Sequence, residues 1–252
     1  YVFGGTIAAV LGVAGTMNLA GTGEFLTVYG RAAATFKDPN VYSTFLLLPT
    51  LMLIQGFLNG TQRHRIISLG ALLLMLAGLF LAFSRGAWIS LIGSTFLLVV
   101  LTFALTPSLK LRGRFLVFSV LGLVVAAVLL TVILSVPQFN AAFLDRLTLV
   151  KSYDAGETGR FGNQLNSIPL LLERPFGFGP RHFSAYFGQD PHNSYINAFS
   201  AYGWLGGVMY FLIVISTIWV GFRSILMRTP WQNWAIVVFC PLTMTLLQSV
   251  QI

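Results

Sequence analysis

The chain has 252 residues, of which 56% are hydrophobic and only 9% charged, and its mean hydropathy is +0.81. A soluble domain carries about 25% charged residues, so this composition excludes one and points to an integral membrane protein. The net charge of +8 would suit a nucleic-acid partner, but its placement in short connections between apolar runs assigns it to membrane topology, and no nucleic-acid binding is expected.

Apolar runs at 2–20, 41–58, 66–83, 88–105, 115–136, 204–222 and 234–250 each come near the ~17–25 residues that a bilayer helix requires. They predict seven spans in an all-α, polytopic transmembrane helical bundle. Trp88, Trp204, Trp219, Trp231 and Trp234 fall near run ends, as in interfacial aromatic belts. The chain opens on Tyr1 and closes on Gln251-Ile252 directly after an apolar run. We therefore expect a fragment of a longer chain, forming a single integral membrane domain over 1–252. Its one cysteine, Cys240, lies inside an apolar run and reads as a small buried apolar residue, with no intrachain disulfide or CxxC site.

The connections divide by charge. Segments 59–65, 106–114 and 223–233 carry Arg63, Arg65, Lys110, Arg112, Arg114, Arg223 and Arg228 and no acid. Segments 21–40, 84–87 and 137–203 hold all seven acids and the other eight bases. The positive-inside rule puts the first set in the cytoplasm and the second outside. His64 falls within the cytoplasmic basic cluster.

The outer connection at 137–203 is too long for a passive linker and is expected to form a loop subdomain carrying short amphipathic helices. Phe161, Leu165, Ile168 and Leu172 recur at helical spacing, with Pro169 as a kink. Pro175-Phe176-Gly177-Phe178-Gly179-Pro180 reads as a Gly/Pro turn between aromatics. Pro180 is expected to start a further short helix through about Phe187. Such pieces suit the outer membrane surface. In Asp190-Pro191-His192-Asn193-Ser194-Tyr195, Asp190 can cap a helix with Pro191 at its first position. His192 then falls in the first turn, where the helix dipole disfavours added positive charge and keeps the imidazole neutral. A neutral imidazole there can accept an alcohol proton; alternatively His192 is a polar helix-end residue facing water.

Arg85 stands between two spans with almost no loop separating them. A charge at that depth is costly and marks an anion contact, unless the side chain snorkels to the interface. Arg160 reads either as an anion ligand or as a loop residue paired with Glu157 or Asp154, and Arg31 and Lys37 have the same bland alternative. Glu173 and Asp190 could pair with Arg174 and Arg181. His182 reads as a structural or surface histidine. Asp145, Asp154 and Glu157 could act as bases or binding groups, but without metal-ligand spacing. Arginine forks match phosphate geometry, and a departing diphosphate needs its charge stabilised. Several arginines beside a neutral histidine therefore suit metal-independent glycosyl transfer from a lipid diphosphate.

Four stretches in order then resemble the bacterial O-antigen ligase / O-antigen polymerase superfamily. They are Thr35-Phe36-Lys37-Asp38-Pro39-Asn40, Phe83-Ser84-Arg85-Gly86-Ala87-Trp88, Arg160 followed by Pro175-Phe176-Gly177-Phe178-Gly179, and Pro191-His192-Asn193-Ser194-Tyr195 with Gly203 and Gly206-Gly207. The chain departs from the pattern at Lys37 or Asp38, where a Gly or Asn more often stands, and its large loop is short for the family. The likeness runs from about Arg31 to about Phe222. It implies a multi-pass enzyme of the bacterial inner (cytoplasmic) membrane, with its active site and large loop facing the periplasm and no cofactor. The implied donor is a glycan on undecaprenyl diphosphate, and the acceptor is lipid A-core for a ligase or another glycan for a polymerase. Carried over by matching positions, Arg85 and Arg160 would hold the diphosphate and His192 would activate the acceptor hydroxyl. Arg31, Arg181, Asn193 and Tyr195 are the expected substrate-binding residues.

The leading expectation is an inverting glycosyltransferase, ligase before polymerase, because no carboxylate is placed as a covalent nucleophile. A lipid-linked glycan transporter or flippase would use the same arginines without a base. Transporters carry polar residues at mid-membrane, whereas here they cluster at one face. A non-catalytic scaffold would give Arg85 no reason.

Overall fold

The computed structural model describes residues 1–106, 109–147 and 159–249. Within them the chain is helical apart from one small hairpin. In order come α1 (Val2–Thr16), a 3-10 turn (Leu19–Gly21), α2 (Gly23–Leu26), and strands β1 (Thr27–Val28) and β2 (Arg31–Ala32). Then follow α3 (Pro39–Asn59), α4 (Arg65–Leu81), α5 (Arg85–Leu105), α6 (Leu109–Leu134) and α7 (Pro137–Leu147). The chain continues with α8 (Arg160–Glu173), α9 (Phe183–Phe187), α10 (Ser194–Leu226) and α11 (Gln232–Gln248).

Each of the seven predicted apolar runs contains a helix, but among the described residues four helices are both long and apolar enough to cross a bilayer. These are α3, α5, α10 and the Phe115–Leu134 part of α6. Helices α1 and α4 are apolar but shorter, at 15 and 17 residues. The chain leaves α1 through Asn18 at φ 51° and leaves α4 through Phe83 at φ 47°, left-handed positions that a helix cannot continue through. Helix α11 has 17 residues with Pro241 inside.

Helix α5 is inside-out relative to a soluble helix. Ala87, Ser90, Ser94, Leu98 and Thr102 are buried, whereas Ile89, Ile92, Phe96 and Val100 are exposed. Small and hydroxyl-bearing residues face protein and large aliphatics face outward, as in helices packed within lipid. Ser94 Oγ donates to the Cys240 carbonyl of α11 at 3.4 Å, and Cys240 is buried and free, as expected.

The described residues fall into two compact units. The first holds α1 to α7 and residues 225–244; the second holds 159–224 and 245–249. The first contains the main apolar core: Tyr42, Leu46 and Leu47 of α3 close on Met75 and Leu79 of α4 and on Ala8 and Ala9 of α1. Asp38 starts α3, its Oδ1 accepting from Asn40 N at 2.6 Å with Pro39 in the first helical position. That pairing of cap and proline is the local reason the helix begins there.

Candidate functional site

Two clusters hold the predicted site residues. In the first unit, Arg85 is the first residue of α5, and Ser84 Oγ accepts from Ala87 N at 3.4 Å as its cap. The turn before it is held by aromatic packing. Phe80 stacks on Trp88 at 5.2 Å, Phe143 lies 5.5 Å from Trp88, and Phe83 lies 6.4 Å from Phe139. Arg85 is half-buried. A guanidinium at a helix start joins the positive end of the helix dipole and its outward N–H groups, which together favour an anion.

The β1–β2 hairpin aims Arg31 at the same turn. Tyr29 and Gly30 both have positive φ, 52° and 71°, as a two-residue type I′ turn demands. Arg31 then lies opposite Val28, and its Nε donates to the Ala82 carbonyl at 2.8 Å while Nη2 donates to Asn40 Oδ1 at 3.1 Å. Arg31 is thus no solvated loop residue: it ties the hairpin to the end of α4 and the start of α3.

In the second unit the expected helix start is corrected. Helix α10 begins at Ser194, and Asn193 caps it: its Oδ1 accepts from Tyr195 N at 3.0 Å and Ile196 N at 3.1 Å. Asp190 and Pro191 lie outside the helix. His192 stands ahead of the cap, exposed and at φ 47°, so the first-turn argument for a neutral ring does not apply. The side chain that can bond two amides at once wins the cap, and that is Asn193. A histidine in the left-handed region is uncommon, and such residues cluster at functional sites.

Helix α8 holds this loop. Gln164 Nε2 donates to the Pro191 carbonyl at 2.7 Å, and Asn163 Nδ2 donates to the Phe187 carbonyl at 3.0 Å. Arg160 is the first residue of α8, one turn before Gln164. The start of α8 is thereby fixed against the backbone just before His192. Neither Asn163 nor Gln164 is singled out by sequence pattern. They form a polar stripe with Ser167, and all three are buried.

The Gly/Pro turn serves the same purpose by exchanging backbone bonds with α10. An unbroken helix would join Trp204 N to the Ser200 carbonyl. Instead Gly203 breaks it at φ 69°, ψ −165°. Trp204 N donates to the Pro175 carbonyl at 2.9 Å, and the Ser200 carbonyl accepts from Phe178 N at 2.6 Å and Gly179 N at 3.2 Å. A side chain on Gly203 would strike the Pro175 carbonyl, and one on Gly177 would meet the Ser200 carbonyl at 2.5 Å. The predicted 204–222 span is thus the second segment of α10, beyond the break.

The remaining candidates have local roles. Tyr195 Oη donates to the Leu246 carbonyl at 3.1 Å, and its ring lies 5.3 Å from Tyr210 and 4.9 Å from Phe211. Arg181 is exposed at φ 62°. The short helix begins at Phe183 rather than Pro180, and His182 Nδ1 lies 2.9 Å from the Pro180 carbonyl. Arg174 lies over the rings of Phe178 at 5.3 Å and Tyr186 at 5.2 Å, and bonds Tyr186 Oη at 3.2 Å, a cation–π seat. Asp154 and Glu157 and the side chains of Asp145 and Arg160 lie outside the described residues. Among the described residues, no three His, Cys, Asp or Glu side chains gather to hold a metal ion.

Arg31 and Arg85 belong to the first unit, and Arg160 and His192 to the second. A family model described as O-Antigen ligase (Wzy_C) matches residues 70–211, more than half of the 252 residues. Neither a curated protein nor a solved structure matches the chain. The matched stretch contains Arg85, Arg160, the Pro175–Gly179 turn, His192 and the Gly203 break, and the chain therefore belongs to the O-antigen ligase family of membrane glycosyltransferase-type enzymes, which act on lipid-linked glycans.

Proposed function

We propose that the protein transfers a glycan from undecaprenyl diphosphate to an acceptor hydroxyl at the periplasmic membrane face, with inversion and without a metal, as a ligase. The observation that carries this reading is the Gln164–Pro191 bond, which fixes the Arg160 end of α8 beside the His192 loop. His192 takes the acceptor hydroxyl proton as the oxygen attacks the anomeric carbon. The bond from that carbon to the diphosphate breaks, and the electron pair leaves with the diphosphate. Arg160 and Arg85, the latter at the start of α5, stabilise the departing charge. Direct displacement by one nucleophile inverts the anomeric centre.

The test uses the purified protein in lipid vesicles with lipid-linked glycan and either lipid A-core or a second glycan-lipid. Product on lipid A-core supports the ligase; product only on glycan-lipid makes it a polymerase of the same family. Removing a general base costs about 10²–10⁴-fold in rate, so His192→Ala should lose at least about a hundredfold in transfer while remaining folded in the membrane. Unimpaired transfer by both His192→Ala and Arg85→Ala would sink the mechanism. Movement of intact donor across the bilayer without transfer would instead favour a flippase.

A further inference from the structure

Helix α8 is amphipathic, but its faces are reversed with respect to water. Asn163, Gln164 and Ser167 are at most 9% exposed, while Phe161, Leu165, Ile168 and Leu172 are between 44% and 67% exposed. The buried polar groups are satisfied within the second unit. Asn163 and Gln164 bond the Phe187 and Pro191 carbonyls, and Ser167 Oγ donates to the Gln164 carbonyl at 2.7 Å. The outward stripe recurs at i, i+4, i+7 and i+11, three turns of one apolar face.

We infer that this stripe is seated in the lipid–water boundary of the bilayer that α10 crosses, so that α8 is a lipid-supported strut for the His192 loop. The occupant is argued from continuity. Trp204 Nε1 donates to the Leu171 carbonyl of α8 at 2.9 Å, which joins the end of α8 to α10 at the first residues after its break. Beyond that point α10 is an apolar membrane-length helix with Leu205, Val208, Leu212 and Ile215 exposed. Tryptophan gathers at membrane interfaces because its ring is apolar and its N–H seeks a partner. A helix tied to that depth, with hydrogen bonds inward and aliphatics outward, matches an in-plane interfacial helix. Lipid contact on one side and the Gln164 bond on the other would set the height of the loop above the membrane. The inference rests on the membrane character of α10 and stands or falls apart from the catalytic reading.

The experiment places nitroxide labels at Leu165→Cys and Ile168→Cys in a Cys240→Ala background, with the full chain in phosphatidylethanolamine–phosphatidylglycerol vesicles. Leu212→Cys in α10 serves as the lipid-facing reference. Collision of the labels with oxygen and with a water-soluble nickel chelate is compared, and circular dichroism checks that each variant is folded. Leu172→Cys supplies a third position if either label perturbs the fold. The expected result is oxygen dominating at both α8 positions, as at the reference. Nickel dominating at both would place the stripe in water and overturn the inference. Labels reached by neither reagent and broadened by each other would mean that a second copy covers the stripe, which also overturns it.

Discussion

At the scale of single residues, the two proposed anion ligands and the proposed base occupy backbone positions that sequence alone describes poorly. Arg85 is placed by what precedes it: a left-handed Phe83, a capping Ser84, and Arg31 bonded to the Ala82 carbonyl. A guanidinium at that position has a planar fork that an ammonium cannot copy. Arg85→Lys should therefore retain charge and fold yet transfer at roughly a tenth to a hundredth of the parent rate, a loss no larger than the ~10²–10³-fold that follows complete removal of a transition-state donor. Initial rates of product formation at saturating donor decide it, and a lysine variant matching the parent would make Arg85 a mere interfacial cation. Ser84-Arg85 was legible as a span start because a charge between apolar runs is expensive. The role of Arg31 was not, since a 2.8 Å bond across fifty-one residues leaves no local pattern. His192 was expected in the first turn of a helix and stands instead ahead of its cap. Its cap was misassigned because Asp190 and Asn193 are both good capping residues, and only the geometry tells which one reaches the amides.

At the scale of elements, the exchange between the Pro175–Gly179 turn and α10 joins two separate stretches of sequence. Gly177 and Gly203, far apart in the chain, serve one purpose, because a carbonyl freed by a helix break must find another donor. Here it finds two, Phe178 N and Gly179 N. The sequence shows the glycines but not their mutual dependence, which is why 204–222 was legible as a span and Ser194–Tyr202 was not joined to it. An alanine at a positive-φ position is strained, at about 1–3 kcal/mol, and at Gly203 the added carbon would also press on the Pro175 carbonyl. Gly203→Ala should lower the melting temperature in detergent and speed chymotryptic cutting at the exposed Phe176, with transfer falling alongside. A Gly203→Ala protein as heat-stable and as slowly cut as the parent would show that the exchange holds nothing together. The amphipathic helix at 161–172 was legible from spacing, but which face turned inward depended on carbonyls at 187 and 191 that no periodicity reveals.

At the scale of the whole molecule, charge bears on a question that helix length leaves open. Helix α4 has 17 residues, about 26 Å at 1.5 Å per residue, slightly less than the ~30 Å hydrocarbon core. If α4 did not cross, the end of α3 and the start of α5 would share a side. Arg63 and Arg65 would then lie opposite Arg112 and Arg114, which follow α5, contrary to the clustering of basic residues on the cytoplasmic side. If α4 does cross, with slight thinning of the bilayer at modest cost, all four fall together. Single cysteines in a Cys240→Ala background separate the cases. Thr61→Cys and Gly113→Cys should react with an impermeant maleimide only from the cytoplasmic side of oriented membranes, and Ala185→Cys only from the other. Labelling of Gly113→Cys from the face opposite Thr61→Cys would remove α4 from the spans. It would also put the Arg85 turn on the cytoplasmic side, away from the proposed periplasmic lipid-linked donor.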